Sequence, residues 1–191
     1  MQPHIQPLTP ATLPGLLAFF DGDAFSDNPK WASCYCQCFY EDHRVVKWSD
    51  RTASQNRSIA IERGNAGTMQ GWIAIVDGAV VGWCNAAPRA LLHALDEEPL
   101  ADAAATGCIL CFLVAPSLRG QGIARALLDA ACDGLRDQGL SVVEANPRTG
   151  SVSAAQNHYG PLAMYLAAGF AVDRDSDDGS VWVRKPLSPR H

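Results

Sequence analysis

Residues 108–126 constrain this chain more than any other stretch. Positions 108–114 form an apolar run without a charge, with aromatic and β-branched members, the composition of a strand buried on both faces. Pro116 stops the ladder because proline has no backbone donor. Arg119-Gly120-Gln121-Gly122-Ile123-Ala124 then reads as a turn that opens a helix. Ile123, Leu127, Ala131 and Leu135 recur at i, i+4 spacing and predict one buried stripe on it. Gly139 has the position of a glycine just past a helix end, with the usual apolar residue, Leu140, after it.

A strand–turn–helix unit of this kind is a natural anion site. The first helical N–H groups have no intrahelical partner, and the helix dipole puts partial positive charge there. Gly120, Gly122 and the small Ala124 let a phosphate approach those amides, and Arg119 can add a side-chain contact. The turn lacks the Gly-Lys-Ser/Thr of the lysine-bearing phosphate loop, and its glycine spacing differs from the dinucleotide fingerprint.

Arg-x-x-Gly-x-Ala following an apolar strand that closes in Val-x-Pro resembles the signature of the GNAT superfamily, the acyl-CoA-dependent N-acyltransferases. The resemblance extends over about residues 5–187 and implies a single GNAT-type domain over 1–191, with no internal boundary. It implies a mixed α/β fold: a central mixed β-sheet flanked by helices, in which the cofactor strand and its neighbour splay apart. Acetyl-CoA would be the acyl donor, with its pyrophosphate on Arg119, Gly120, Gln121, Gly122, Ile123, Ala124 and Arg125. Its pantetheine arm would run along the backbone of Phe112, Leu113 and Val114 like an added strand. An N–H near Val114 would face the thioester carbonyl in an oxyanion-hole role.

The same resemblance suggests catalytic groups. Tyr165 stands in Met-Tyr-Leu-Ala-Ala-Gly-Phe, similar to the family's late Tyr-x-x-x-Gly-Phe motif, where the phenol protonates the departing thiolate. Glu144 lies in an apolar strand where several relatives carry a base; a solvent-facing strand position is the alternative. Seven residues before its tyrosine the family often has a cofactor-contacting asparagine, and here that position is His158. The contact passes to His158, shifts to Asn157, or is lost; His158 could equally serve as a base near neutral pH or carry no chemistry. Trp31, Tyr35, Tyr40 and Arg89 are the acceptor contacts implied, against the alternative that these aromatic residues only cover one end of the sheet.

The remaining chain fits this frame. Residues 4–8 predict a first strand. Thr9 or Thr12 caps a helix whose stripe is Leu13, Leu16, Leu17 and Phe20, closed by Asp21-Gly22-Asp23. A second helix is predicted over about 51–63. Asp77-Gly78, between two β-rich runs, is a type I′ hairpin signal. Residues 88–107 read as a surface connection with one short helix, 141–146 as a strand, 148–160 as a loop and 162–168 as a short helix. Residues 170–173 and 180–183 read as a last hairpin around a turn over 175–179, with a frayed tail over 186–191.

Cys34, Cys36 and Cys38 invite a metal reading. Structural zinc sites need four ligands, usually in Cys-x₂₋₄-Cys pairs, so no metal is expected. Strand alternation would set all three on one face as small apolar fillers.

A net charge of −5 argues against nucleic acid or an anionic membrane as partner, and no apolar run reaches the length of a membrane span. Seven cysteines and a start without a secretory pattern point to the cytoplasm. The acceptor expected is a primary amine of a small molecule or peptide, and a homodimer is compatible with the chain. A non-catalytic acyl-CoA-binding module, or a cysteine-rich metal- or redox-responsive protein, are the alternatives from other classes.

Overall fold

Alternating strand and helix signals resolve into a definite order. The computed structural model describes residues 2–150, 156–176 and 179–188. Its elements are β1 (His4–Pro7), α1 (Leu13–Asp21), α2 (Ala53–Ala66), β2 (Gly71–Val76), β3 (Ala79–Pro88) and β4 (Thr106–Val114), then α3 (Ile123–Asp137), β5 (Val142–Ala145), α4 (Leu162–Ala167), β6 (Ala171–Asp175) and β7 (Val181–Pro186). The strands form one seven-stranded sheet ordered β1-β2-β3-β4-β5-β7-β6. β4 and β5 pair in parallel, and the other described neighbours pair antiparallel. The sequence readings that fall on residues 151–155, 177–178 and 189–191 lie outside the described residues.

Period-2 alternation sorts the apolar strands onto two core faces. Ile73, Trp83, Cys108 and Leu110 pack with Leu16 and Phe20 of α1 on one face. Trp72, Ala74, Cys84 and Ile109 pack with Leu127, Leu128 and Leu135 of α3 on the other. The whole 108–114 run is therefore apolar because both faces of β4 are covered.

Local signals account for most boundaries. Asp77 and Gly78 both take positive φ, 50° and 81°, as the β2–β3 type I′ turn requires. Leu13, Leu16, Leu17 and Phe20 are all buried, as the α1 stripe predicts. Thr12 holds the N-cap position of α1, but its hydroxyl receives the Thr9 N–H at 2.9 Å instead of a helical one. α2 starts on a capping box, Thr52 with Gln55, and runs past Gly64 to a left-handed Gly67. Gly64 stays inside the helix because the Leu13 side chain occupies the space a Cβ there would take. The 88–107 connection is built of short 3₁₀ turns where one short helix was expected.

One register feature shapes the site. β4 pairs with β5 over Thr106–Ile109 alone, while its pairing with β3 continues to Val114. Asn85 faces Cys111 and Ala86 faces Ile109, so Leu110 is the extra residue of a β-bulge where the β5 pairing ends. β5 stops at Ala145, with Pro147 two residues on. β4 and β5 therefore diverge beyond this point.

α3 lies close on β2. A Cβ at Gly134 would come 2.0 Å from Cζ2 of the buried Trp72, so helix and sheet touch where there is no side chain. Gly134→Ala is expected to lose about 1–3 kcal/mol from overpacking, more than the ~1 kcal/mol of helix propensity it gains. Thermal unfolding should show a Tm lower than the parent's; an unchanged or raised Tm would contradict this close packing.

Candidate active site

Where β4 and β5 part, the outer edge of β4 is left without a strand neighbour. The Ala115 N–H donates to the Val81 carbonyl of β3 at 2.9 Å, so by alternation the backbone groups of Phe112 and Val114 face the opposite, open side. The Val114 carbonyl accepts from Arg119 Nε at 3.1 Å, consistent with that direction.

A cavity of about 340 Å³ runs along this edge to the start of α3. It is lined by Phe112, Leu113 and Val114 on one side and by Arg119, Gly120, Gly122, Ile123, Ala124 and Arg125 at its end. Asn157 and His158 close another wall, next to Gly160, Pro161 and Met164. Gln121 is exposed and is not among the lining residues. Gly120 and Gly122 have φ of 76° and 82°, and a Cβ on either would meet nothing within 4 Å. Backbone conformation therefore selects glycine here, and the space beside the amides stays open. The first helical bond is donated by Ala126 to the Gly122 carbonyl at 3.0 Å. The amides of Ile123, Ala124 and Arg125 precede it and point out of the helix.

Arg119 has a different occupation from the one its position suggested. Its guanidinium pairs with Asp27 (Nη2 to Oδ1, 3.1 Å) and holds that carboxyl below its usual range. This pair ties the loop after α1 to the glycine turn, and brings Ala24, Phe25, Asp27 and Asn28 into the cavity wall.

A second cavity of about 310 Å³ adjoins the first, and Phe25, Trp31, Leu113 and His158 line both. Its own wall comes from Lys30, Ser33, Cys34, Cys36, Cys38, Phe39, Trp48, Cys111 and Tyr159. Cys34, Cys36 and Cys38 do face one space, though not through strand alternation, because this segment is a series of turns. Tyr35 and Cys36 take positive φ, 46° and 55°, a strained conformation for non-glycine residues. Neighbouring side chains hold it: Gln37 Nε2 donates to the Tyr35 carbonyl at 2.9 Å, Asn85 Nδ2 to the Cys36 carbonyl at 3.3 Å, and Asn56 Nδ2 to the Ser33 carbonyl at 2.8 Å. Burial pushes the Cys34 and Cys38 thiols up to about 11 and about 12. A hydrogen bond with Cys111, and then burial, raises Cys36 as well. These groups are neutral thiols at ordinary pH. Among the described residues no cluster of three or more His, Cys, Asp or Glu side chains is arranged to hold a metal ion.

Of the four acceptor contacts expected, Trp31 lines both cavities and the other three lie elsewhere. Tyr35 is turned into the core by its positive φ, edge-on to Phe20, with its hydroxyl donating to Asp21 at 2.6 Å. Tyr40 is buried and donates to Asn85 Oδ1 at 2.8 Å. Arg89 is buried against Glu144 and donates to the carbonyls of Leu95 and Glu98.

Glu144 also departs from its expected place. It is 0% exposed, lies in the paired part of β5 opposite Cys108, and lines neither cavity. Its Oε1 accepts from Arg89 at 2.5 Å, and Oε2 lies 3.5 Å from Arg174 and 3.9 Å from Arg184. The arginines around it come from two distant parts of the chain, the connection after β3 and the β6–β7 hairpin. An alternation pattern could not reveal them.

Tyr165 is fully buried between Phe112 and Phe170 behind the cavity wall, without lining either cavity itself, and its hydroxyl donates to the Tyr159 carbonyl at 2.7 Å. Burial pushes its phenol well above the ordinary value, so it stays protonated. The ring of His158 sits against Trp31 and Tyr159, with centroids at 4.5 and 4.1 Å.

Comparison with known proteins places this geometry in context. The model of the acetyltransferase (GNAT) family matches residues 29–160. A ribosomal-protein-alanine N-acetyltransferase from Brucella melitensis superposes with a TM-score of 0.59 at 21% identity, covering 96% of this chain and 99% of its own. The PaiA N-acetyltransferase of Thermoplasma acidophilum, solved with coenzyme A, gives 0.57 at 14% identity, covering 97% and 99%. YncA of Salmonella typhimurium, solved with acetyl-CoA, gives 0.56 at 16% identity, covering 98% and 95%. At these identities the structures establish a shared fold. No curated protein matches the chain.

The Glu144 ion pair is testable apart from any chemistry in the cavities. Glu144→Gln leaves the Arg89 charge buried without its counter-ion and is expected to destabilise the fold by about 3–5 kcal/mol, read by urea unfolding. Activity per folded molecule should stay near the parent's, whereas loss of a catalytic base costs roughly 10²-fold or more.

Proposed function

The chain belongs to the acetyltransferase (GNAT) family and is an acetyl-CoA-dependent N-acetyltransferase, and on that premise we propose that it transfers the acetyl group by direct attack of a primary amine of a small molecule or peptide. The observation that carries the reading is the open outer edge of β4 leading to two left-handed glycines at the start of α3.

Acetyl-CoA fits the residues present. Its pyrophosphate would lie on the amides of Ile123, Ala124 and Arg125, beside Gly120 and Gly122, where dipole and free donors favour an anion. Its pantetheine amides would pair with the backbone of Phe112 and Val114 as an added strand. Bound there, it supplies an activated thioester carbonyl. The Val114 N–H then stabilises the negative charge that develops on the carbonyl oxygen, and needs no reorganisation to do so.

Two protons must move. His158, at the junction of the two cavities, takes the proton from the incoming amine. Contacts with Trp31 and Tyr159 hold its ring there. Tyr165 donates a proton to the departing thiolate; its raised pKa keeps that proton available, and its hydroxyl turns from the Tyr159 carbonyl to deliver it. Glu144, buried on its arginines, takes no part in proton transfer.

The donor site is tested by calorimetry. Gly122→Glu puts a carboxylate and a strained φ where the pyrophosphate would lie, and acetyl-CoA binding should disappear while the far-ultraviolet circular dichroism is retained. Undiminished binding would refute the site.

The proton carriers are tested by rate. His158→Gln should lower kcat/KM by roughly 10²-fold or more and flatten the fall in rate toward low pH, because the group that must be deprotonated there is gone. Tyr165→Phe should lower kcat and leave acetyl-CoA affinity in place. Unchanged pH profiles and kcat in the two variants would overturn both assignments.

A further inference from the structure

The second cavity carries information about the acceptor beyond its being an amine. On the reading of the first cavity as the donor site, the geometry points to a compact aromatic amine, its ring held among Trp31, Phe39, Trp48 and Tyr159 and its nitrogen directed to His158.

Three observations favour that chemistry. The first is the lining, where five aromatic side chains, Phe25 among them, meet thiols held neutral by burial, with Lys30 exposed to solvent, a surface matched to a flat apolar body. The second is rigidity. The wall bearing Cys34, Cys36 and Cys38 is strained at Tyr35 and Cys36 and pinned by the side chains of Gln37, Asn56 and Asn85, so it suits a ligand of fixed shape. Arg63 strengthens the same wall by bridging Gln37 and Glu41 at 2.9 and 3.0 Å.

The third is size. At about 310 Å³ the cavity stands at the small end of ligand pockets, roughly 300–1,000 Å³. Beyond it lies a further cavity of about 150 Å³, which shares Phe39 and Tyr159 as lining residues. Those two rings meet edge to face at 6.1 Å and partition the two spaces. A single ring system fits on the His158 side of that partition.

The test compares three primary amines at saturating acetyl-CoA: 2-phenylethylamine, n-hexylamine and an alanine-initiated tetrapeptide. We expect kcat/KM for 2-phenylethylamine to exceed the other two by about tenfold, the equivalent of one aromatic stacking contact. Trp48→Ala, a half-buried position, should abolish that preference and leave acetyl-CoA binding by calorimetry intact. Phe39→Ala should join the two spaces and improve the tetrapeptide relative to 2-phenylethylamine. Equal or better rates with n-hexylamine or the tetrapeptide would overturn the inference. So would an aromatic preference that survives Trp48→Ala, or acetyl-CoA binding with no turnover of the aromatic amine. In each of these the donor site stands. Absence of acetyl-CoA binding in the parent protein would instead remove the donor-site reading, and this inference with it.

Discussion

Everything in the site depends on β4 having a strand partner along only part of one edge. From Thr106 to Ile109 its backbone is satisfied by β5, and from there to Val114 that edge is open. An unpaired strand edge inside a sheet carries unsatisfied donors and acceptors, which a stable fold covers or a ligand completes. The bulge at Leu110 and the end of β5 before Pro147 make this gap a property of the backbone. Glu144 lies one residue before the last paired position of β5, and Arg89 directly follows the end of β3. A charge pair buried that deeply would be costly unless well bonded, and Arg89 is additionally held by the carbonyls of Leu95 and Glu98. The pair thus anchors the 88–107 connection to the point where the strands begin to part.

The second wall of the cleft comes from an unrelated solution. Between α1 and α2 the chain has little regular structure, and it is ordered by side chains bonding to backbone carbonyls. Tyr35, Tyr40, Gln37 and Asn85 act as struts, each buried and each satisfied. Their ordering turns the neighbouring thiols and the rings of Trp31 and Phe39 toward the cavities. The Arg119–Asp27 pair closes this wall against the glycine turn, so the two halves of the cleft are joined by charge as well as by packing.

Legibility in the sequence followed the range of the interactions. The 108–114 run, the glycine turn and the α3 stripe are local patterns, and the structure forms them at those positions. The Cys34–Cys38 segment was unreadable for a definite reason. Two successive left-handed residues and a series of 3₁₀ turns take the place of strand geometry, and Tyr35 and Tyr40, read as acceptor contacts, are buried in the core while Phe39 and Trp48 line the space. Glycine would have marked such a conformation; Tyr35 and Cys36 carry no such mark. Glu144 was ambiguous because a strand carboxylate is explained equally by solvent, by chemistry or by distant arginines. Arg89, Arg174 and Arg184 are separated from it by loops and helices that no local pattern connects.

By itself, the sequence determined the family, the mixed α/β fold and the glycine-bearing turn at the head of α3. These rest on backbone conformations and short-range periodicities that a few adjacent residues dictate. Tertiary structure decided where β4 and β5 part, which aromatic side chains enter the cleft, and that Glu144 serves an ion pair. Those outcomes depend on which surfaces meet after the chain has collapsed. Burial and pairing across scores of residues, more than any side chain's own preference, set the direction in which each group faces.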